Sequence, residues 1–251
     1  MKIVFCGDIH AEFHAIEQLI DLTAADIIIQ AGDFGIWPDC YHRVKVDRNV
    51  PVYFCRGNHE NHDLLDTFPI GEICNLKTSE RINNPILSEK RKISNYNIRK
   101  LMRTKFPHAH NIYLCNTGSI LTLNNKNILF LGGADSIDRN SRTIGKSWWP
   151  QEIFSLEDFD LVSERIKDKH IDIVVSHTAP KFIVEQLSFI EKLNDPTTKA
   201  LELIFDMIKP ELWIFGHFHK YIEIQIQQCK FIGLDTYPPG LYTNLFYSYT
   251  I

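Results

Sequence analysis

The sequence predicts an α/β protein built as a layered sandwich with mixed sheets. Three observations carry this. Short β-branched or aromatic runs recur along the chain, each ending in a polar loop, with helical patterns between several of them. The runs are continuously apolar rather than alternating, as in strands covered on both faces. Towards the end of the chain the runs draw closer together with turn residues between them, which reads as antiparallel pairing.

Ile3-Val4-Phe5-Cys6 leads into Gly7-Asp8-Ile9-His10. Phe13, Ile16, Leu19 and Ile20 then mark one face of a helix. Asp26–Gln30 leads into Gly32-Asp33-Phe34-Gly35, and Val52–Cys55 into Arg56-Gly57-Asn58-His59-Glu60. Leu121–Leu131 reads as a hairpin turning at Asn124-Asn125-Lys126-Asn127. Ser155 with Asp158 opens a helix by a capping pattern. Asp172–Ser176 leads into His177. Asp195-Pro196 is an N-cap with proline at the first helical position, opening a helix to about Ile208. Leu212–Phe215 leads into Gly216-His217-Phe218-His219. Tyr221–Gln227, Lys230–Leu234 and Thr243–Thr250 read as strands.

A chain of 251 residues, 44% hydrophobic and 23% charged, can bury a sizeable core. One domain over 1–251 is expected. The formal net charge of −4 selects no charged partner. No run approaches the roughly 18 apolar residues of a membrane span. The apolar start, Met1 to Phe5, turns polar by Gly7-Asp8, too soon for a signal peptide. A cytoplasmic protein is the expectation. None of the six cysteines forms a CxxC pair, and Cys6, Cys55 and Cys115 each close an apolar run, as core thiols do. Cys6 lies two residues before Asp8, but buried free cysteine is the commoner state, so it is left out of the ligand set.

In open α/β sheets ligands bind beyond the carboxyl ends of the strands. Asp8, His10, Asp33, Asn58, His59, His177, His217 and His219 all fall there. A lone Asp or His in one such loop is usually a turn residue; five loops in phase are not so dismissed. Imidazole, carboxylate and amide oxygen suit Mn, Fe and Zn. The set is too large for one ion and right for two, with Asp33 the natural bridge. His14, one helical turn beyond His10, reads as a helix-surface residue outside the site.

Taken in order, GDIH, GDFG, RGNHE, SH and GHFH resemble the calcineurin-like metallophosphoesterase superfamily, from residue 7 to 219. The resemblance implies a two-layered mixed β-sheet sandwich flanked by helices, in αββα order. It implies one ion on Asp8, His10, Asp33 and His219, and a second on Asp33, Asn58, His177 and His217, with Mn the expected activator in vitro. His59 matches the histidine that binds no metal and either donates to the leaving oxygen or stabilises transition-state charge. Hydrolysis would proceed by in-line attack of a hydroxide shared by the two ions, available near neutral pH. Two departures matter. The protein Ser/Thr phosphatase branch carries GDxVDRG, where this chain has Ile36 and Trp37 at the second Asp and the Arg, so that activity is demoted. Ala11 stands in a place usually held by glycine.

The stretch GGADSIDRNSRTIGKSWWPQE, residues 132–152, resembles a segment of a bacterial and phage branch of that superfamily. Arg139, Arg142 and Lys146 lie on this loop, and Arg suits bidentate phosphate recognition. With Arg56 of the RGNHE loop, Arg139 and Arg142 form the candidate substrate-binding set. Trp148 and Trp149 either stack on a base or sugar or pack the loop down, with packing expected for at least one. Residues 77–111 carry nine Lys or Arg against Glu80 and Glu89, leaving 18 basic and 29 acidic residues elsewhere. This basic insert, a cap over the domain, is either a solvated helix face or a phosphate-tracking surface for nucleic acid. The leading function is a metal-dependent phosphohydrolase, a phosphodiesterase or nucleotide phosphatase. The alternatives are a nuclease and, below it, a protein phosphatase or a scaffold that has lost catalysis.

Overall fold

Every residue of Ile3-Val4-Phe5-Cys6 is fully buried, and alternate side chains serve two different cores. Val4 and Cys6 face a layer of helix, while Ile3 and Phe5 face a second sheet. The computed structural model describes residues 1–40, 46, 49–66, 111–187, 195–238 and 242–251. Apart from Asn111, the basic insert lies outside the described residues.

The described strands are β1 (Lys2–Cys6), β2 (Ile27–Gln30), β3 (Val52–Phe54), β4 (Ile112–Leu114), β5 (Ile120–Leu123), β6 (Lys126–Leu131), β7 (Ile173–Ser176), β8 (Leu212–Phe215), β9 (Ile222–Ile226), β10 (Cys229–Gly233) and β11 (Phe246–Thr250). The helices are α1 (His14–Thr23), α2 (His62–Leu65), α3 (Leu156–Ile166), α4 (Lys181–Gln186), α5 (Pro196–Ile208) and α6 (Tyr242–Leu245). One sheet runs β11-β1-β2-β3-β4, parallel except for β11. The other runs β5-β6-β7-β8-β10-β9, with β6, β7, β8 and β10 parallel and the outer pairings antiparallel.

The layers follow from the strand period of two. Ile27, Ile29, Ile173, Val175, Leu212 and Ile214 fill the space between the sheets. Val174, Trp213, Phe215 and Phe231 point the other way, onto α3, α4 and α5. On the opposite surface Val4, Ile28 and Phe54 pack on α1 through Ile16 and Leu19. The result is the αββα sandwich, a mixed two-sheet α/β fold.

Local signals placed the starts of α3 and α5. Asp195 accepts a hydrogen bond from the Thr197 N–H, and the helix after it closes at Ile208. Ser155 and Asp158 form the reciprocal capping box. The hairpin turn is tighter than the four residues expected: Asn124 and Asn125 alone make it, both at positive φ (45° and 64°), and Lys126 and Asn127 already belong to β6. Two left-handed residues match the twist of the flanking strands. The strand expected from Thr243 begins at Phe246 instead. Tyr242–Leu245 is a helical turn whose Asn244 and Leu245 carbonyls accept from Asp235 and Gly7, pinning the last strand beside the first. No described helix is long and apolar enough to cross a membrane.

Candidate metal centre

The loops after β1, β2 and β3 and those after β7 and β8 leave the two sheets at the same end, and their side chains meet. His219 Nε2 stands 3.1 Å from Asp8 Oδ2 and 3.2 Å from His10 Nε2. His10 Nδ1 is 3.9 Å from Asp33 Oδ2. On the other side of Asp33, His177 Nε2 is 3.3 Å from Oδ1 and 2.9 Å from Asn58 Oδ1. The His217 and His177 rings are 4.9 Å apart. One ligand atom each from Asp8, His10 and His219, and likewise from Asp8, Asp33 and His177, fit within 4.8 Å of one another. The expected ligand residues are therefore all brought together. Asp8, Asp33 and His177 are buried, whereas the His10 and His219 side chains are 30% and 45% exposed, so the centre opens on that side.

This convergence is held by the backbone. His10, Asp33, His217 and His219 all have positive φ, between 43° and 68°. Outside glycine such conformations cost roughly 1–3 kcal/mol each and persist only where the surroundings impose them. The impositions are visible. Gln30, fully buried at the end of β2, donates to the Gly7 and Gly32 carbonyls and accepts from the Gly32 N–H, tying the first two loops together. Glu60 accepts from the Phe34 N–H, tying the third loop to the second. The His59 N–H donates to Asp33 Oδ1 at 2.7 Å. A Cβ on Gly57 would collide with Asp33 Oδ1, and one on Gly216 with Asp8 Oδ1. Gly57→Ala is therefore expected to displace Asp33 and weaken Mn(II) binding at least tenfold, about 1.4 kcal/mol, by titration of the folded variant. Unchanged affinity would show that the carboxylate tolerates the displacement.

The donors suit a divalent cation. Asp33 Oδ2 is buried and has no hydrogen-bond partner, a costly state for a carboxylate oxygen unless a cation completes it. The Ala31 carbonyl can only accept, so His177 Nδ1 carries a proton and donates to it at 2.8 Å. That fixes the tautomer and turns Nε2 to the centre, as in metal-ligating histidines. Burial opposes charge on His177, but the Asp33 carboxylate outweighs it and raises the ring to about 9. Burial opposes charge on Asp33 too, yet His177, His59 and His10 hold it well below the usual carboxylate range. The protein alone thus keeps a proton at Nε2 that a metal ion would replace.

A family model described as calcineurin-like phosphoesterase matches residues 1–221. The chain belongs to that family. Its fold is similar to that of the phosphopantetheinyl hydrolase of Mycobacterium tuberculosis, at 13% identity and a TM-score of 0.56, over 99% of this chain and 95% of that one. A dimetal phosphatase from Danio rerio aligns over 99% of this chain and 91% of its own at 12% identity, with a TM-score of 0.48. At 13% identity the likeness to the hydrolase concerns the fold alone. No curated protein sequence matches the chain.

Around the centre of this phosphoesterase, the residues expected at its rim differ in what they touch. His59 is half-buried with its ring 5.4 Å from His10, and Arg142 Nη2 donates to its Nε2 at 3.0 Å. Burial pushes the His59 pKa down and Arg142 adds to this, against the pull of Asp33. Arg142 also donates to the Asn58 carbonyl. Arg139 lies further out, 3.6 Å from Asp135 and over the Trp148 ring. Arg56 gives its guanidinium to Asp66 and Asn116. Trp148 and Trp149 are both buried, which makes both of them packing residues. Cys6 is buried with its thiol on the Gly7 carbonyl, and burial holds its pKa far above the ordinary thiol value. His14 is on the surface, paired with the Tyr237 hydroxyl.

The departures from the family pattern also have physical content. Ile36 is a core residue, and the Trp37 indole donates to the His59 carbonyl, so neither position offers a carboxylate or guanidinium to the centre of this phosphoesterase. Ala11 sits at φ 69°, a conformation that glycine takes without strain. Two further polar residues were not singled out by sequence reasoning. Ser136 accepts from Asn58 Nδ2 at 2.8 Å and donates to Glu152 at 2.9 Å. Both belong to the 132–152 segment, which was the only sign of them.

Proposed function

We propose that this phosphoesterase is a dinuclear metal-dependent phosphohydrolase acting on phosphodiesters or nucleotide phosphoesters. The observation that carries this is the position of Asp33. Its two oxygens reach opposite halves of the centre, towards His10 and towards His177, and the one facing His10 is buried with no hydrogen bond. Asp8, His10, Asp33 and His219 would hold one ion, and Asp33, Asn58, His177 and His217 the other. Mn, Fe and Zn suit this donor set, and Mn is the first to try. Bound there, the ions would supply Lewis acidity to the phosphoryl oxygens and a nucleophile at neutral pH.

The chain's own residues would do the rest. Substrate would enter from the more open side, that of His10 and His219. Arg142, one hydrogen bond from His59, is 9% exposed and paired with Asp138, so it would take a phosphate oxygen by giving up that partner, and would otherwise offset charge there from behind His59. Arg139, held less tightly and on the same loop, would take a more distal phosphate oxygen. His59 would either donate a proton to the leaving oxygen, from the ring nitrogen other than the one Arg142 holds at 3.0 Å, or stabilise transition-state charge. The reading is tested with Mn-loaded protein on a phosphomonoester, a phosphodiester, cyclic nucleotides and short DNA and RNA. Hydrolysis of none of them would remove it.

The basic composition of residues 77–111 favours a polynucleotide as the second substrate reading. Neutralising Lys90, Arg91 and Lys92 together is expected to spare a small chromogenic ester and to weaken oligonucleotide binding. It should flatten the log–log salt dependence by about 0.7–0.9 per lost phosphate contact. Unchanged affinity and slope would reduce the insert to a solvated face.

A further inference from the structure

Asn58 has a side chain with two unlike ends of nearly equal size. Only its oxygen can ligate a cation, and a half-turn about the last torsion would present the NH2 instead. Something must select between these orientations, and shape does not. In this structure Oδ1 faces His177 Nε2 at 2.9 Å, and Nδ2 donates to Ser136 Oγ at 2.8 Å. The Ser136 hydroxyl has one proton, and that proton goes to Glu152 Oε2 at 2.9 Å. Glu152 is held in turn, its Oε1 accepting from the Trp149 N–H at 2.9 Å, with Arg142 Nη1 3.9 Å from Oε2.

The chain of bonds has a direction. A carboxylate can only accept, so the serine must donate to it, so the serine lone pairs face Asn58, and so the amide must turn its NH2 to the serine. Asn58, Ser136 and Glu152 are 2%, 4% and 0% exposed, so bulk solvent does not reach them and a lost partner is costly. We propose that Ser136, polarised by Glu152, is the positioning residue that keeps the Asn58 oxygen turned to the metal centre. The inference rests on the dinuclear reading above and assigns a purpose to the 132–152 segment: it orients a ligand from 78 residues away in sequence.

The test is Mn(II) titration at pH 8, where Glu152, which burial pushes up to about 7, is ionised. Ser136→Ala is expected to weaken the second ion by about 10–100-fold, the usual effect of removing a partner that orients a ligand. Ser136→Thr, which keeps the hydroxyl, should restore it. Glu152→Gln keeps the volume but can donate to the serine, so it should weaken the same ion without lowering the melting temperature, and it serves if Ser136→Ala does not fold. In an Asn58→Asp background both ends of the side chain are oxygen, and Ser136→Ala should cost little more. Two ions in the wild type with unchanged affinity in Ser136→Ala and Glu152→Gln would overturn the inference alone. So would equal losses in the Asn58 and Asp backgrounds, which would mean packing only. A single ion in the wild type would overturn the dinuclear reading and this inference with it.

Discussion

Asp33→Ala is expected to release both metal ions and to bring phosphoester hydrolysis to background. The reason is geometric. Asp33 is the residue whose oxygens reach both His10 Nδ1 and His177 Nε2, so neither half of the centre is complete without it. Its Oδ1 also accepts the His59 N–H, so the alanine variant loses an anchor for the third loop as well as a ligand. Asp33→Asn separates these effects, since an amide oxygen can still accept that bond while supplying no negative charge. Metal analysis of both variants after dialysis reads the outcome. Full retention of two ions by Asp33→Ala would exclude it as the shared ligand.

His59→Ala is expected to keep its metal and lose turnover by about 10²–10⁴-fold, the contribution of a positioned acid. His59 stands beside the ligand set, with Arg142 on its Nε2. The neighbouring Asn58 is fixed independently, by Ser136 and His177. Metal content should therefore survive the substitution. The loss should shrink for an ester with a good leaving group, which needs less protonation. Equal losses for good and poor leaving groups would assign His59 an electrostatic role instead.

Much of this was legible because the signals are local. Ile27-Ile28-Ile29 and Ile173-Val174-Val175 read as strands covered on both faces because each is packed between a sheet and a helix layer. Asp195-Pro196 and Ser155 with Asp158 marked helix starts because a cap satisfies backbone donors within three residues. The convergence of the proposed ligand residues was legible because chemistry restricts such sets: few roles besides cation binding gather Asp, Asn and His after five strands.

What escaped depends on distance in sequence. β4 is three residues long, too short to carry a period, and it exists by pairing with β3. The turn before β11 is bonded to Gly7, far from it along the chain, and to Asp235. Packing was expected for at least one of Trp148 and Trp149, but their sequence did not say which, and both are buried. Ser136 and Glu152 are ordinary residues whose meaning lies in Asn58, and Gln30 is a strand-end polar residue until it is seen bridging two loops.

The proposed sharing of one carboxylate by two ions would make a demand on spectroscopy that no pair of separate sites would meet. Ions joined through Asp33 must lie close enough for their spins to interact. Titration of the wild-type chain with Mn(II), followed by electron paramagnetic resonance, is expected to end at two ions per chain with the spectrum of a spin-coupled pair. An end point of one ion, or two ions with the spectra of isolated Mn(II), would contradict it.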